Sequence, residues 1–355
     1  MEFRDYSEVM LNHSKALKRI SAKTVAERLF IKETTMCFFT EYYVKPYIKN
    51  EFRLIDCTMG GDKSHEEFYK VSIPTSCYLD TSKEMVDPDS IYPNGFPTKQ
   101  QVIDAMQDLG VSKSDTIVLY SQPHRDSSMT RVWVILNSYG FEDVSILDGG
   151  LLKFQQDGYP TTPGIDYIGE KSIISNLNDP DSYLIKMDEI VEFAKGQKPT
   201  MQLIDTRDEK SFHGHATDNI PGCKQGHVPG AINIPASNFI NESDDTFKLY
   251  PELVKLFDSY KIDRSKDIVV MCRTGVAATV GFMSLFFAQY PSIRLYDGSW
   301  SEYGSNDNPI DTLEARMPMY YQPALVPTLH IIVLHKGEKY VGIPIDQPNY
   351  GVYRR

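Results

Sequence analysis

Cys272 ends an apolar run, Ile268-Val269-Val270-Met271, and opens the segment Arg273-Thr274-Gly275-Val276-Ala277-Ala278, beyond which a second apolar stretch continues to Ala288. Read locally, the first run is a buried strand, the second is a helix, and the residues between them form a tight loop. A thiol at the end of a parallel strand and ahead of a helix faces unpaired backbone N–H groups and the positive end of the helix dipole. Both stabilise an anion. The thiolate is the nucleophilic form of cysteine, and the groups that favour it would also hold a persulfide anion. Gly275 permits the curvature between Thr274 and Val276, and the small Ala277 and Ala278 leave room for amides to point inward. Arg273 adds a fixed positive charge that can attract an anionic reactant. The plainer alternative is a buried strand-end cysteine without chemistry, since free cysteines are among the most buried residues.

The other four cysteines, Cys37, Cys57, Cys77 and Cys223, take that plainer reading. They are scattered, with no CxxC and no Cys/His pairing, so neither a disulfide framework nor a metal site is expected. Phosphate-ester hydrolysis from a strand-end cysteine needs an arginine six residues on, where Ala278 stands. A P-loop is excluded by the absence of a glycine-rich loop ending in Gly-Lys-Ser/Thr. Arg207 either recognises substrate or pairs with a carboxylate at its strand end, and Trp300 either walls a cleft or fills the core. His227, before Val228-Pro229-Gly230, reads as a turn-closing hydrogen bonder rather than a base.

These residues must be positioned by an architecture that the sequence repeats. Leu54-Ile55-Asp56 matches Leu203-Ile204-Asp205, Asp115 to Tyr120 matches Lys266 to Met271, and Leu147-Asp148-Gly149-Gly150 matches Tyr296-Asp297-Gly298-Ser299, all about 150 residues apart. Within each repeat short Ile/Val/Leu runs alternate with helical segments, which predicts an α/β fold of two tandem domains, each a mainly parallel sheet flanked by helices. In the second repeat the expected strands are Met201 to Asp205, Ile268 to Cys272 and Ile293 to Tyr296, with helices over Pro251 to Ser259 and Gly275 to Gln289. In the first they are Ile117 to Tyr120 and Val144 to Leu147, with helices over Lys99 to Leu109 and Met129 to Tyr139. The divisions expected are an N-terminal extension 1–49, a first domain 50–160, a linker 161–181 rich in Pro and Gly, a second domain 182–310 and a C-terminal extension 311–355, the last packed on a domain.

A net charge of -11 argues against nucleic acid or an anionic membrane as partner, because phosphate contacts need clustered Lys and Arg. No apolar run approaches the roughly 20 residues that span a bilayer. The mixed charges near the N-terminus fit neither a secretory signal nor a transit peptide, so a cytoplasmic protein is expected, with a mitochondrial pool left open.

The loop Cys272-Arg273-Thr274-Gly275-Val276, the upstream Gly226-His227-Val228-Pro229-Gly230-Ala231-Ile232-Asn233-Ile234-Pro235 and the downstream Tyr296-Asp297-Gly298-Ser299-Trp300 resemble the active-site loop and flanking signatures of tandem-domain rhodaneses and 3-mercaptopyruvate sulfurtransferases. Arg131-Val132-Trp133 and Leu147 to Leu151 resemble that family's inactive N-terminal domain, with Ser121 at the loop position. The resemblance spans roughly residues 50 to 305. It implies transfer of sulfur from a small anionic donor, thiosulfate or 3-mercaptopyruvate, through a persulfide on Cys272 to cyanide or a thiol, without a cofactor, by a monomer or weak dimer. The anion cradle would be Arg273, Thr274, Gly275, Val276 and Ala277, with Arg207, Lys210 and Trp300 around the substrate. Two departures stand out. Ser211 precedes Phe212 where the family has an arginine, and Thr217-Asp218-Asn219-Ile220 lacks the second arginine of the mercaptopyruvate enzymes; Lys210 and His213 are the nearby substitutes. The competing reading is a non-catalytic scaffold of the same fold that binds protein partners.

Overall fold

The computed structural model describes residues 20–32, 42–44, 52–166, 170–216, 220–312, 332–335 and 338–341. In chain order the first repeat contains helix α1 (Ala22–Leu29), a hairpin of β1 (Phe30–Lys32) and β2 (Tyr42–Val44), β3 (Arg53–Asp56), α2 (Asp62–Lys70), β4 (Cys77–Tyr78), α3 (Lys99–Asp108), β5 (Ile117–Tyr120), α4 (Asp126–Ser138), β6 (Val144–Ile146) and α5 (Gly150–Gln156). The second contains α6 (Met187–Ala194), β7 (Met201–Asp205), β8 (Ile232–Asn233), a hairpin of β9 (Ile240–Asn241) and β10 (Thr246–Phe247), α7 (Tyr250–Ser259), β11 (Asp267–Met271), α8 (Ala278–Phe287) and β12 (Ile293–Leu295). A separate unit from Leu313 onward carries one antiparallel pair, β13 (Ile332–His335) with β14 (Glu338–Val341). The expected docking of this C-terminal stretch falls largely outside the described residues.

Each repeat builds a four-stranded, wholly parallel sheet, in the orders β4-β3-β5-β6 and β8-β7-β11-β12. Under the repeat these are the same order, so the α/β tandem expected from the periodicity is what the chain forms. Single parallel bridges extend both sheets in the same sense, Ile20 to Leu147 and Leu184 to Leu295. Helix α1 therefore stands in the first repeat where α6 stands in the second, and its Val25, Ala26 and Leu29 are buried with Leu147, Leu151 and Phe154. Part of the stretch expected as an extension is thus an integral piece of the first repeat. Its amphipathic pattern is short, and no landmark of the repeat lies within it.

The central strands are buried on both faces, as expected where helices cover a parallel sheet. Helices α4 and α8 are buried almost all round because each has its own sheet on one side and the other repeat on the opposite side. They meet at equivalent residues, with the hydroxyls of Thr130 and Thr279 2.8 Å apart, and Trp133 packs on Phe286 with ring centroids 5.4 Å apart. One apolar cluster runs through both repeats. Among the described residues no helix is long and apolar enough to cross a membrane.

The same interface carries a pH-sensitive group. Asp126, in the first turn of α4, has its carboxyl pushed up to about 7 from 3.8, by burial first and by the neighbouring Asp245 second. A carboxyl raised on folding contributes stability that is fully present below about pH 4 and is lost as pH climbs through about 7. Asp126→Asn is therefore expected to stabilise the protein by about 2 kcal/mol at pH 8 and by little at pH 4. Denaturant titrations at the two pH values check this; an equal effect at both would refute it.

Candidate active site

Cys272 follows β11 directly, is 3% exposed, and lies next to the sheet's buried strands. Its backbone N–H donates to Ser299 Oγ at 3.1 Å, and its carbonyl accepts from the Trp300 N–H at 3.1 Å. Among the described residues, no acceptor takes the backbone N–H groups of Thr274, Gly275, Val276 or Ala277, which follow the thiol into the first turn of α8. Ser299 is held at φ 51, a left-handed value uncommon for a residue with a side chain. Its hydroxyl secures the strain by donating to the Tyr296 carbonyl at 2.8 Å while accepting from Cys272. In the first repeat Gly150 occupies this place at φ 52, and a Cβ there would stand 2.7 Å from the Ser121 carbonyl oxygen.

The turn itself depends on Gly275. It adopts φ 76, and a Cβ would fall inside contact distance of the Asp297 carbonyl oxygen and 2.8 Å from its Oδ1. Neither neighbour is the free end of a flexible side chain, so the loop would have to move. Gly275→Ala is expected to cost about 2–3 kcal/mol of stability and to slow reaction at Cys272, checked by thermal melting together with thiol alkylation. A variant with wild-type melting and reactivity would contradict it.

The remaining loop residues are distributed on two sides. Arg273 is half-buried, and its Nη2 donates to Ser211 Oγ at 3.2 Å; Ser211 Oγ in turn donates to Asp208 at 2.8 Å. Against the opposing effect of burial, the hydrogen bonds from Ser211 and, to a lesser degree, the Arg273 charge hold Asp208 below the ordinary carboxylate range. The Thr274 hydroxyl accepts from Asn94 Nδ2, of the first repeat, at 2.9 Å. The Val276 carbonyl accepts from the Thr279 hydroxyl at 2.6 Å and closes the first turn of α8. Ala277 lines a different space, a cleft of about 970 Å³ between the repeats that His124, Asp126, Asp245 and Lys248 also line and Cys272 does not.

Arg207 lies in the core rather than at a surface. It is 4% exposed, with Nε and Nη2 on the Asp205 carboxylate at 2.7–3.1 Å, Nη2 also on the Gly226 carbonyl at 2.9 Å, and its guanidinium 4.4 Å from the Trp300 ring. The carboxylate pairing, one of the two accounts open from sequence, is present in the structure. Trp300 is fully buried, and its indole N–H donates to the Lys224 carbonyl at 3.0 Å, so it fills the core beneath the loop. His227 Nδ1 lies 2.9 Å from the Phe212 carbonyl, with the two rings stacked at 3.7 Å. Lys210 is exposed, one residue from Ser211. The comparison of Thr217-Asp218-Asn219 with the family's second arginine lies outside the described residues.

Cys57 and Cys77, in the first repeat, are poor nucleophiles for a physical reason. Burial pushes the Cys57 thiol well up, with the Asp56 charge adding to it, and pushes Cys77 up to about 12. Cys57, Cys77, Cys223 and Cys272 are all free. Three contacts at the loop have no local signature in the sequence: Ser299 with Cys272, Asn94 with Thr274, and Arg131 with Asp297. Arg131 and Asp297 were visible only as parts of separate signatures, and Asn94 sits in a Pro-Asn-Gly turn that gave no hint of its distant partner.

The rhodanese-like domain matches the chain twice, over residues 40–157 and 189–306. The chain belongs to the rhodanese-like family, with two tandem copies of the domain. It is 29% identical over 270 residues to the 3-mercaptopyruvate sulfurtransferase of Escherichia coli O157:H7, covering 74% of this chain and 93% of that protein. It is 30% identical over 241 residues to the thiosulfate sulfurtransferase of Gallus gallus, covering 68% and 81% respectively. Its fold is shared by the Tum1 protein of Saccharomyces cerevisiae, with a TM-score of 0.71, 23% identity and coverage of 84% of this chain and 98% of that one.

Proposed function

We propose that the protein is a rhodanese-type sulfurtransferase that carries sulfur as a persulfide on Cys272. The observation that carries this reading is a strand-end thiol followed directly by a run of backbone N–H groups that no described acceptor takes. In the first half-reaction the Cys272 thiolate attacks the outer sulfur of the donor. With thiosulfate, the sulfur–sulfur bond breaks and sulfite leaves with the electron pair; with 3-mercaptopyruvate, the carbon–sulfur bond breaks and pyruvate leaves after proton uptake. In the second, cyanide or a thiol attacks the terminal sulfur and the Cys272 thiolate is regenerated. Negative charge persists on the loop throughout, which is the condition its N–H groups and the α8 dipole suit.

Arg273 supports donor binding as the loop's own cation, beside Ser211. Arg207 and Trp300 support the loop from beneath, not the donor. Ser121 gives the first repeat no thiol at the equivalent position, so one sulfur per chain is expected. Intact-protein mass spectrometry after incubation with thiosulfate, or separately with 3-mercaptopyruvate, tests the reading. One added sulfur, mapped to the Cys272 peptide and removed by cyanide, is the expected result. No adduct from either donor would leave the non-catalytic scaffold as the better account.

A further inference from the structure

The geometry points to Arg131, a residue of the first repeat, as the positioning residue that holds the Cys272 loop of the second in its reactive shape. This deepens the sulfurtransferase reading and rests on it. Arg131 leaves α4 and is only 1% exposed. Its Nη1 donates to Asp297 Oδ1 and, at 3.4 Å, to the Gly275 carbonyl; its Nη2 donates to the Asn94 carbonyl at 2.8 Å; the Phe96 ring lies 5.1 Å from the guanidinium carbon. Asp297 in turn packs so closely on Gly275 that no side chain fits between them. The third residue after the thiol is therefore tied, through one carboxylate and one carbonyl, to the other repeat.

Two consequences follow. The direction in which the loop N–H groups point depends on the Gly275 peptide, and small displacements of such groups weaken anion stabilisation strongly. Asp297 also puts a carboxylate beside a loop that must hold thiolate, donor and persulfide, and Arg131 neutralises it. Packing of α4 alone gives no reason for a buried arginine next to Val132 and Trp133, because desolvating that charge is costly without a partner.

The test compares Arg131→Lys, Arg131→Met and the charge-balanced pair Arg131→Met with Asp297→Asn, in the full chain. Thermal melting, kcat and KM with thiosulfate and cyanide, and the rate of iodoacetamide alkylation at the Cys272 peptide are measured. Arg131→Met is expected to melt early and to lose about 100-fold in kcat with KM changed less than about threefold. The double variant regains stability, yet its kcat stays about tenfold low and Cys272 alkylates about tenfold more slowly than in wild type; Arg131→Lys recovers part of both. Should the single Met variant not fold, the lysine and double variants carry the comparison. A double variant with wild-type kcat and alkylation would overturn the proposal and leave Arg131 a purely structural group. Should the wild type itself turn over neither thiosulfate nor 3-mercaptopyruvate, the functional reading fails, and the alkylation rates alone decide whether Arg131 positions the loop.

Discussion

Cys272→Ala is expected to abolish turnover, by at least about 10⁴-fold with any sulfur donor, while leaving the fold intact. The two halves of that expectation have separate physical causes. Turnover goes because no other described cysteine can substitute: burial disfavours the thiolates of Cys57 and Cys77, which lie in the first repeat's core, and Cys223 donates to the Trp300 carbonyl from a polar loop. The fold survives because the ties of residue 272 to its neighbours are made by the backbone, through its N–H to Ser299 and its carbonyl to Trp300. Losing one buried sulfur atom costs about 1 kcal/mol, within reach of an ordinary domain's stability. Melting temperature and steady-state kinetics on the same preparation check both halves. Residual activity above a few per cent would mean that sulfur is carried elsewhere.

How far the sequence anticipates this structure depends on whether the determinant is local. Ile268 to Met271, Gly275 and the apolar helix after it are each legible alone, since a continuous β-branched run, a glycine and a buried helix all have local signatures. The observed strand ends one residue short of Cys272, and α8 begins at Ala278 rather than Gly275, because the intervening residues make the loop. What the sequence does not disclose is pairing across the repeats. Arg131 and Asp297 lie 166 positions apart, and Asn94 and Thr274 lie 180 apart, and nothing in either segment's own pattern asks for the other. The role of Arg207 was ambiguous for a related reason. A residue two places beyond a strand-end aspartate can fold back on it or reach outward, and only burial beneath Trp300 decides between these.

That fold-back makes Arg207→Ala the substitution with the largest expected cost in stability, about 3–5 kcal/mol at neutral pH. Asp205 is fully buried, and removal of the guanidinium leaves its carboxylate, among the described residues, with the residue 207 backbone N–H at 3.0 Å as its remaining donor. The first repeat contains the natural counterpart of this situation. Asp56 is equally buried without an arginine, and it is satisfied by the Thr58 backbone N–H and hydroxyl and by Gln122 Nε2 at 2.8 Å. Even so, burial raises its carboxyl above the ordinary value, against the pull of those bonds. Asp205 has no comparable set, so in the variant its carboxyl should take up a proton on folding. A carboxyl raised in the folded state loses stability as pH rises, so the deficit of Arg207→Ala is expected to grow from mildly acidic to alkaline pH. Arg207→Lys, which keeps the charge but not the fork that spans both carboxylate oxygens, should fall between. Denaturant unfolding of both variants against pH measures the effect. A pH-independent deficit, or one under about 1 kcal/mol, would show that Asp205 finds other partners and that the stacking on Trp300 carries most of what Arg207 contributes.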